Sequence, residues 1–277
     1  MVLLHPVDLF ADLDPDLAAL RQLGGFFVLR PVGSAVAGPE AARVGALPTL
    51  AEAYEDSTSD GRGNALARRV DIVAGRLRTA EPRVAASLAH QGLAARLWSV
   101  ALGCAVRYGR LPDLGPALLR WDPAATAPDD LWFTGPRPRP GGTEPATLDG
   151  TDPATLADAV VRTVVHGHLA PLGDALRHRY GLAPGLARGN AGSALAGAVR
   201  ELDRWARANN RADMVTRTRA LADVLFAHPL LSTTGTRAGL AFRRRSCCLY
   251  YRVPGGGVCG DCCFTQPPRS SPRGASG

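Results

Sequence analysis

Between Ser246 and Cys263 the chain reads Ser-Cys-Cys-Leu-Tyr-Tyr-Arg-Val-Pro-Gly-Gly-Gly-Val-Cys-Gly-Asp-Cys-Cys. Cys247, Cys248, Cys259 and Cys262 thus fall as Cys-Cys, ten residues, then Cys-x-x-Cys. No other stretch constrains the fold as tightly. Pro254 followed by Gly255, Gly256 and Gly257 can turn the chain so that the two thiol pairs face each other, and glycines let backbone N–H groups approach a buried anion. Amide donors to cluster sulfurs are one means by which proteins raise an iron–sulfur potential.

Four thiolates are what a [2Fe-2S] cluster takes, although this spacing departs from the plant-type pattern. Structural zinc is the competing reading. Its sites commonly use two separated Cys-x-x-Cys knuckles, which the adjacent Cys247 and Cys248 fit poorly. A thiol/disulfide switch through Cys259 and Cys262 is the third. The N-terminus, Met1-Val2-Leu3-Leu4-His5-Pro6-Val7-Asp8, has no basic region and only a very short apolar run, so no signal peptide is expected. No uninterrupted apolar stretch approaches the roughly 20 residues a spanning helix requires, so no membrane span is expected. The expected location is cytoplasmic, where clustered cysteines indicate metal or redox chemistry rather than structural disulfides.

Upstream, 277 residues at 46% hydrophobic content suffice for a core without disulfide staples. Helix starts are expected at Asp14-Pro15, Glu81-Pro82 and Asp152-Pro153, where an acidic residue precedes a proline suited to the first helical position. Val84, Leu88, Leu93 and Leu97 continue the second pattern, and Leu156, Val160 and Val164 the third, with Pro171 expected to kink or break it. Further helices are expected around Leu195, Val199, Leu202 and Ala206, and from Met214 to a stop at His228-Pro229. Gly24 to Leu29 and Leu131 to Thr134 read as strands. Pro136 to Gly142 and the tail from Pro267 read as loop and disordered end. The fold class is therefore α+β: a predominantly helical body over 1–242, a cysteine-bearing segment over 243–265 and a tail over 266–277.

The charge of +7 rests entirely on arginine, since the 32 basic residues include no lysine. Nucleic acid is not the expected partner, because aromatics make up only 6% and do not interleave with the basic residues.

At the cysteine motif the sequence resembles the FhuF-type ferric siderophore reductases, whose C-terminal signature is similar to Cys247–Cys262 almost throughout. A looser similarity covers Arg83–Leu88, Gly92–Leu97, His168–Leu172 and Gly189–Leu195. The resemblance implies a cytoplasmic protein with a [2Fe-2S] cluster on Cys247, Cys248, Cys259 and Cys262 and a ferric siderophore as substrate. Arg188 and Cys263 depart from the pattern, and Cys263 is given no ligand role.

Ferric iron is a hard cation held by charged oxygens, and one added electron weakens that hold, so no nucleophile or general base is required of the protein. Arg243, Arg244, Arg245 and Arg252 could offset the charge of a thiolate-ligated cluster or attract a donor, against the simpler reading of a solvated run. Tyr250 and Tyr251 could shield the cluster or stack on an aryl chelator, with core packing as the alternative. His166 and His168 project to nearly opposite sides of a helix and are not expected to share an ion. Cys104 reads as a buried small hydrophobe. The absence of a Gly-rich dinucleotide fingerprint points to a ferredoxin-like electron donor rather than NAD(P)H. Two alternatives stand beside the reductase: a zinc-stabilised binding module, and an iron–sulfur electron carrier without a siderophore substrate.

Overall fold

The core is organised by one helix, Pro82–Tyr108, whose side chains are buried on nearly every face, from Val84 and Ala85 through Trp98 to Val106. A helix apolar all round has to be central. This is a computed structural model, and it describes residues 17–32, 39–55, 64–135, 148–149 and 152–268. The helix start expected at Asp14-Pro15, the loop Pro136 to Gly142 and the tail from residue 269 lie outside them.

In chain order the elements that position the site are β1 (Arg30–Pro31), α1 (Ala65–Leu77), α2 (Pro82–Tyr108), β2 (Leu119–Trp121), β3 (Leu131–Phe133), α3 (Pro153–Val160), a π-helical segment (Val161–Leu169), α4 (Ala170–Tyr180), α5 (Pro184–Ala208), α6 (Ala212–Ala227), β4 (Gly235–Ala238) and β5 (Ala241–Arg244). α5 packs along α2, α6 packs on α5, and α1 covers another side of α2. Leu195, Val199, Leu202 and Ala206 are all buried, as their spacing predicts. The small sheet runs β1–β3–β2, with β1 parallel and β2 antiparallel to β3, and β4 and β5 form a hairpin. The α+β class with a helical body therefore holds.

The expected starts at Pro82 and Pro153 are present, the latter with Asp152 accepting the Thr155 N–H at 3.0 Å. Pro171 does not break its helix. The chain stays helical from Pro153 to Tyr180, and the strain is taken up just before the proline by the π segment, where the Ala170 N–H reaches back to the Val165 carbonyl. Proline removes one donor and crowds the preceding turn, and a wider turn accommodates both.

The strand expected over Gly24 to Leu29 is also corrected. Gly25–Phe27 is a short 3₁₀ turn, and only Arg30–Pro31 pairs as a strand. The buried guanidinium of Arg96 takes the carbonyls of Phe26 and Val28, so α2 supplies the hydrogen bonds that a neighbouring strand would have supplied.

Candidate metal centre

Hairpin β4–β5 delivers the cysteine segment onto one face of α5. Gly189 and Gly192 lie three residues apart on that face, and a Cβ at either would overlap Ser246 Oγ or Thr234 Oγ1. Glycine is costly inside a helix, about 1 kcal/mol relative to alanine, and here the cost admits a second segment against the backbone. Between and beside them Asn190 accepts from Arg244, and Ser193 Oγ donates to Asp261 Oδ2 at 2.7 Å. From α2, Ser87 Oγ donates to the Cys248 carbonyl at 2.8 Å, and Asn190 Nδ2 donates to the Ser87 carbonyl at 2.8 Å. Sequence reasoning missed this seat. Its signal was available in Gly189-Asn190-Ala191-Gly192-Ser193, where poor helix formers fall on one helical face.

The chain then turns as its composition predicts. Leu249 has φ 70°, a left-handed conformation uncommon outside glycine, and the Gly256 N–H closes a tight turn onto the Val253 carbonyl at 2.7 Å. These turns bring the thiols together, and the Cys247-Cys248 pair faces Cys259 and Cys262 as expected. Cys248 Sγ lies 3.6 Å from Cys259 Sγ. Cys247, Cys262 and Cys263 form a second group, their sulfurs within 4.8 Å of one another. Cys263 is thus placed beside two of the expected ligands.

Backbone amides are aimed at the sulfurs: Leu249 N–H at Cys247 Sγ (3.2 Å) and Phe264 N–H at Cys262 Sγ (3.4 Å). The hydrogen bond shared with Cys259 brings the Cys248 thiol down to about 7, and the same bond pushes Cys259 up. Cys247 and Cys263 are raised, first by burial.

Of the three consecutive arginines only Arg244 is buried, because side chains alternate along β5 and Arg244 shares the inward face with Phe242. Its guanidinium donates to Gln91 Oε1 at 3.2 Å and to Asn190 Oδ1, and its Nε has no partner. Among the described residues it has no carboxylate. Its charge instead favours the thiolate forms of Cys247, Cys248, Cys259 and Cys263. A buried cation with only neutral acceptors is costly unless an anion is nearby. Clustered thiols, amides directed at them and an unbalanced guanidinium fit a thiolate-held anionic group such as an iron–sulfur cluster.

The other expected contacts divide. Arg252 is committed to Glu81 at the start of α2, Nη2 to Oε2 at 2.7 Å, so its charge is already balanced. Arg243 and Arg245 are exposed, Arg243 donating to the Cys263 carbonyl at 3.0 Å. Tyr250 is exposed, while Tyr251 is half-buried edge-on against Phe264. His168 is fully buried between Tyr54 Oη and the Leu114 carbonyl, whereas His166 is exposed, so the two share no site. Cys104 is buried in the core.

Residues 244–264 match the FhuF 2Fe-2S C-terminal domain. The chain carries an FhuF-type iron–sulfur domain. Comparison with the curated proteins gives no match. The FhuF-type segment is a [2Fe-2S]-binding domain, and the match begins at Arg244, the buried cation, and runs through all five clustered cysteines.

Proposed function

We propose that the protein is a ferric siderophore reductase, with Cys247, Cys248, Cys259 and Cys262 as ligands of its cluster, acting in the cytoplasm on iron-loaded chelators. The observation that carries this reading is where the apolar surface lies. The large exposed hydrophobic side chains among the described residues are Phe26, Leu230, Tyr250, Val258 and Phe264. Three belong to the cysteine segment, Phe26 lines a groove walled by Cys259, and Leu230 lines a separate cavity around His90. Exposed apolar side chains concentrated at one place mark a docking surface.

When bound, the cluster supplies one electron at a time. The chain's own residues hold the thiolates in amide hydrogen bonds, stabilise negative charge with Arg244 and leave a groove about 410 Å³ in volume along Cys259. That groove is the proposed approach for a ferredoxin-like donor. The segment 243–265 would hold the cluster while the body, 1–242, supplies the docking surfaces. None of the described helices is long and apolar enough to cross a membrane.

The reading is tested with protein reduced chemically without oxygen, then mixed with a ferric siderophore and a ferrous-specific chelator. The reduced signal should disappear as the ferrous complex forms, one ferrous ion per electron delivered. Sustained turnover should require an added ferredoxin-like donor and fail with NADPH alone. A reduced signal that persists beside hydroxamate, catecholate and citrate chelates alike would leave an electron carrier in place of a reductase.

A further inference from the structure

Beside the start of α5 the described residues line a half-open cavity of about 290 Å³, formed by the π-helical segment, α4, the start of α5 and Leu230–Leu231, with His90 of α2. Val165, Leu169 and Leu230 make its walls apolar. Arg177 and Arg188 stand exposed at its edge, and neither has an ion-pair partner among the described residues. The lining contains a single carboxylate, Asp174, so cations outnumber anions there. At its floor lies His90, 1% exposed, with Nδ1 lacking any hydrogen-bond partner among the described residues. A buried polar atom left unpaired in a recess is where a ligand's polar group belongs. The imidazole is neutral near pH 7, since burial and then Arg244 hold it down to about 4, and so it can offer a hydrogen bond without adding charge.

The cavity is also close to the cysteines. Arg188 reaches it from the turn of α5 whose Gly185 carbonyl accepts from Ser246, the residue before Cys247. One turn before His90, Ser87 holds the Cys248 carbonyl. Arg244 acts electrostatically on both His90 and the thiols. The π turn that widens this wall belongs to a class of helix distortion frequent at functional sites.

We infer that this cavity docks the ferric chelate and selects chelates with net negative charge, one anionic arm lying between Arg177 and Arg188 over His90. The inference rests on the reductase reading, and its test is separable from the test of that reading. Gallium(III) has the charge of ferric iron but is not reduced under these conditions, so its chelates report binding without electron transfer. The cluster-loaded protein is titrated calorimetrically with gallium(III) citrate and with the gallium(III) complex of a neutral trihydroxamate. The anionic complex should bind about tenfold tighter or more, and Arg177→Gln/Arg188→Gln should remove that preference, as the loss of charge-assisted hydrogen bonds would do. Both side chains are exposed, so the visible spectrum and reduction potential of the double variant should be unchanged. Raising salt should weaken citrate binding to the parent protein and not to the variant. Equal affinity for the two complexes, unaltered citrate binding by the variant, or no binding of either complex would each overturn the inference. Siderophore reduction that ignores both arginines would remove the cavity and leave the reductase standing. Arginine-dependent gallium binding without any reduction would do the reverse.

Discussion

Arg96 and Arg244 are each 2% exposed, one beneath Phe26 to Val28 and the other beneath the cysteine segment, and they keep opposite company. Arg96 has a buried carboxylate, Asp130, at 2.8 Å, together with the carbonyls of Phe26 and Val28. Arg244 has only the amide oxygens of Gln91 and Asn190, and one N–H unmatched. The first arrangement is complete in the polypeptide and serves to fold it. The second is incomplete without an anion, and the thiols it acts on indicate where that anion sits.

The contrast breaks outright if the missing charge is not held by the cysteines. Serine in place of Cys247, Cys248, Cys259 or Cys262 should abolish the cluster, measured as iron and sulfide per chain, because an iron lacking one thiolate is open to solvent and oxidation. Cys263→Ala and Cys104→Ala should retain it. Cluster loss in Cys263→Ala would put that sulfur into the ligand set, in keeping with its position beside Cys247 and Cys262.

The next largest effect separates the two arginines by stability. Arg96→Met strands Asp130, which is 4% exposed, and should cost about 3–5 kcal/mol in urea unfolding of the metal-free protein. Arg244→Met in the same metal-free protein removes a cation that had no carboxylate to strand, and leaves two amide oxygens short of a donor. Its cost should be about 1–3 kcal/mol. Equal losses for the two variants would show that Arg244 is as fully paired as Arg96.

Much of this architecture was legible in the sequence, and the exceptions share a cause. Proline after an acidic residue marked the starts of α2 and α3, and apolar spacing marked α5 and α6, because both signals are local. The cysteine spacing identified the metal centre for the same reason. What stayed hidden depends on partners distant in the chain. Gly24 to Leu29 has strand composition, yet Arg96, about 70 residues away, takes its carbonyls. Pro171 marked a kink or break, and the helix runs on through a π turn just before it. Gly189 to Ser193 matched a family pattern only loosely, and its purpose appears when Ser246, Arg244 and Asp261 arrive from more than 50 residues downstream. His90, Arg177 and Arg188 carry no motif and meet only in the folded chain.

The smallest expected effect is the sharpest test of the comparison, because it divides three adjacent arginines that sequence alone treats as one run. Period-two alternation along β5 turns Arg244 inward and leaves Arg243 and Arg245 in water. A charge in water is screened within about 10 Å at 0.1 M salt, whereas a buried one is screened far less. Reduction adds one negative charge beside Arg244, so a guanidinium there favours the reduced state. Arg244→Gln, which keeps hydrogen-bonding capacity and removes the charge, should therefore lower the midpoint potential by about 60 mV, tenfold in a one-electron equilibrium. The paired replacement Arg243→Gln/Arg245→Gln should change it by much less, and the remaining shift should vanish at high salt. Arg252→Gln should resemble the exposed pair, since its charge is spent on Glu81. If the exposed pair moves the potential as far as Arg244 does, the cluster senses the net charge of its surface, and the buried guanidinium has no special part in setting it.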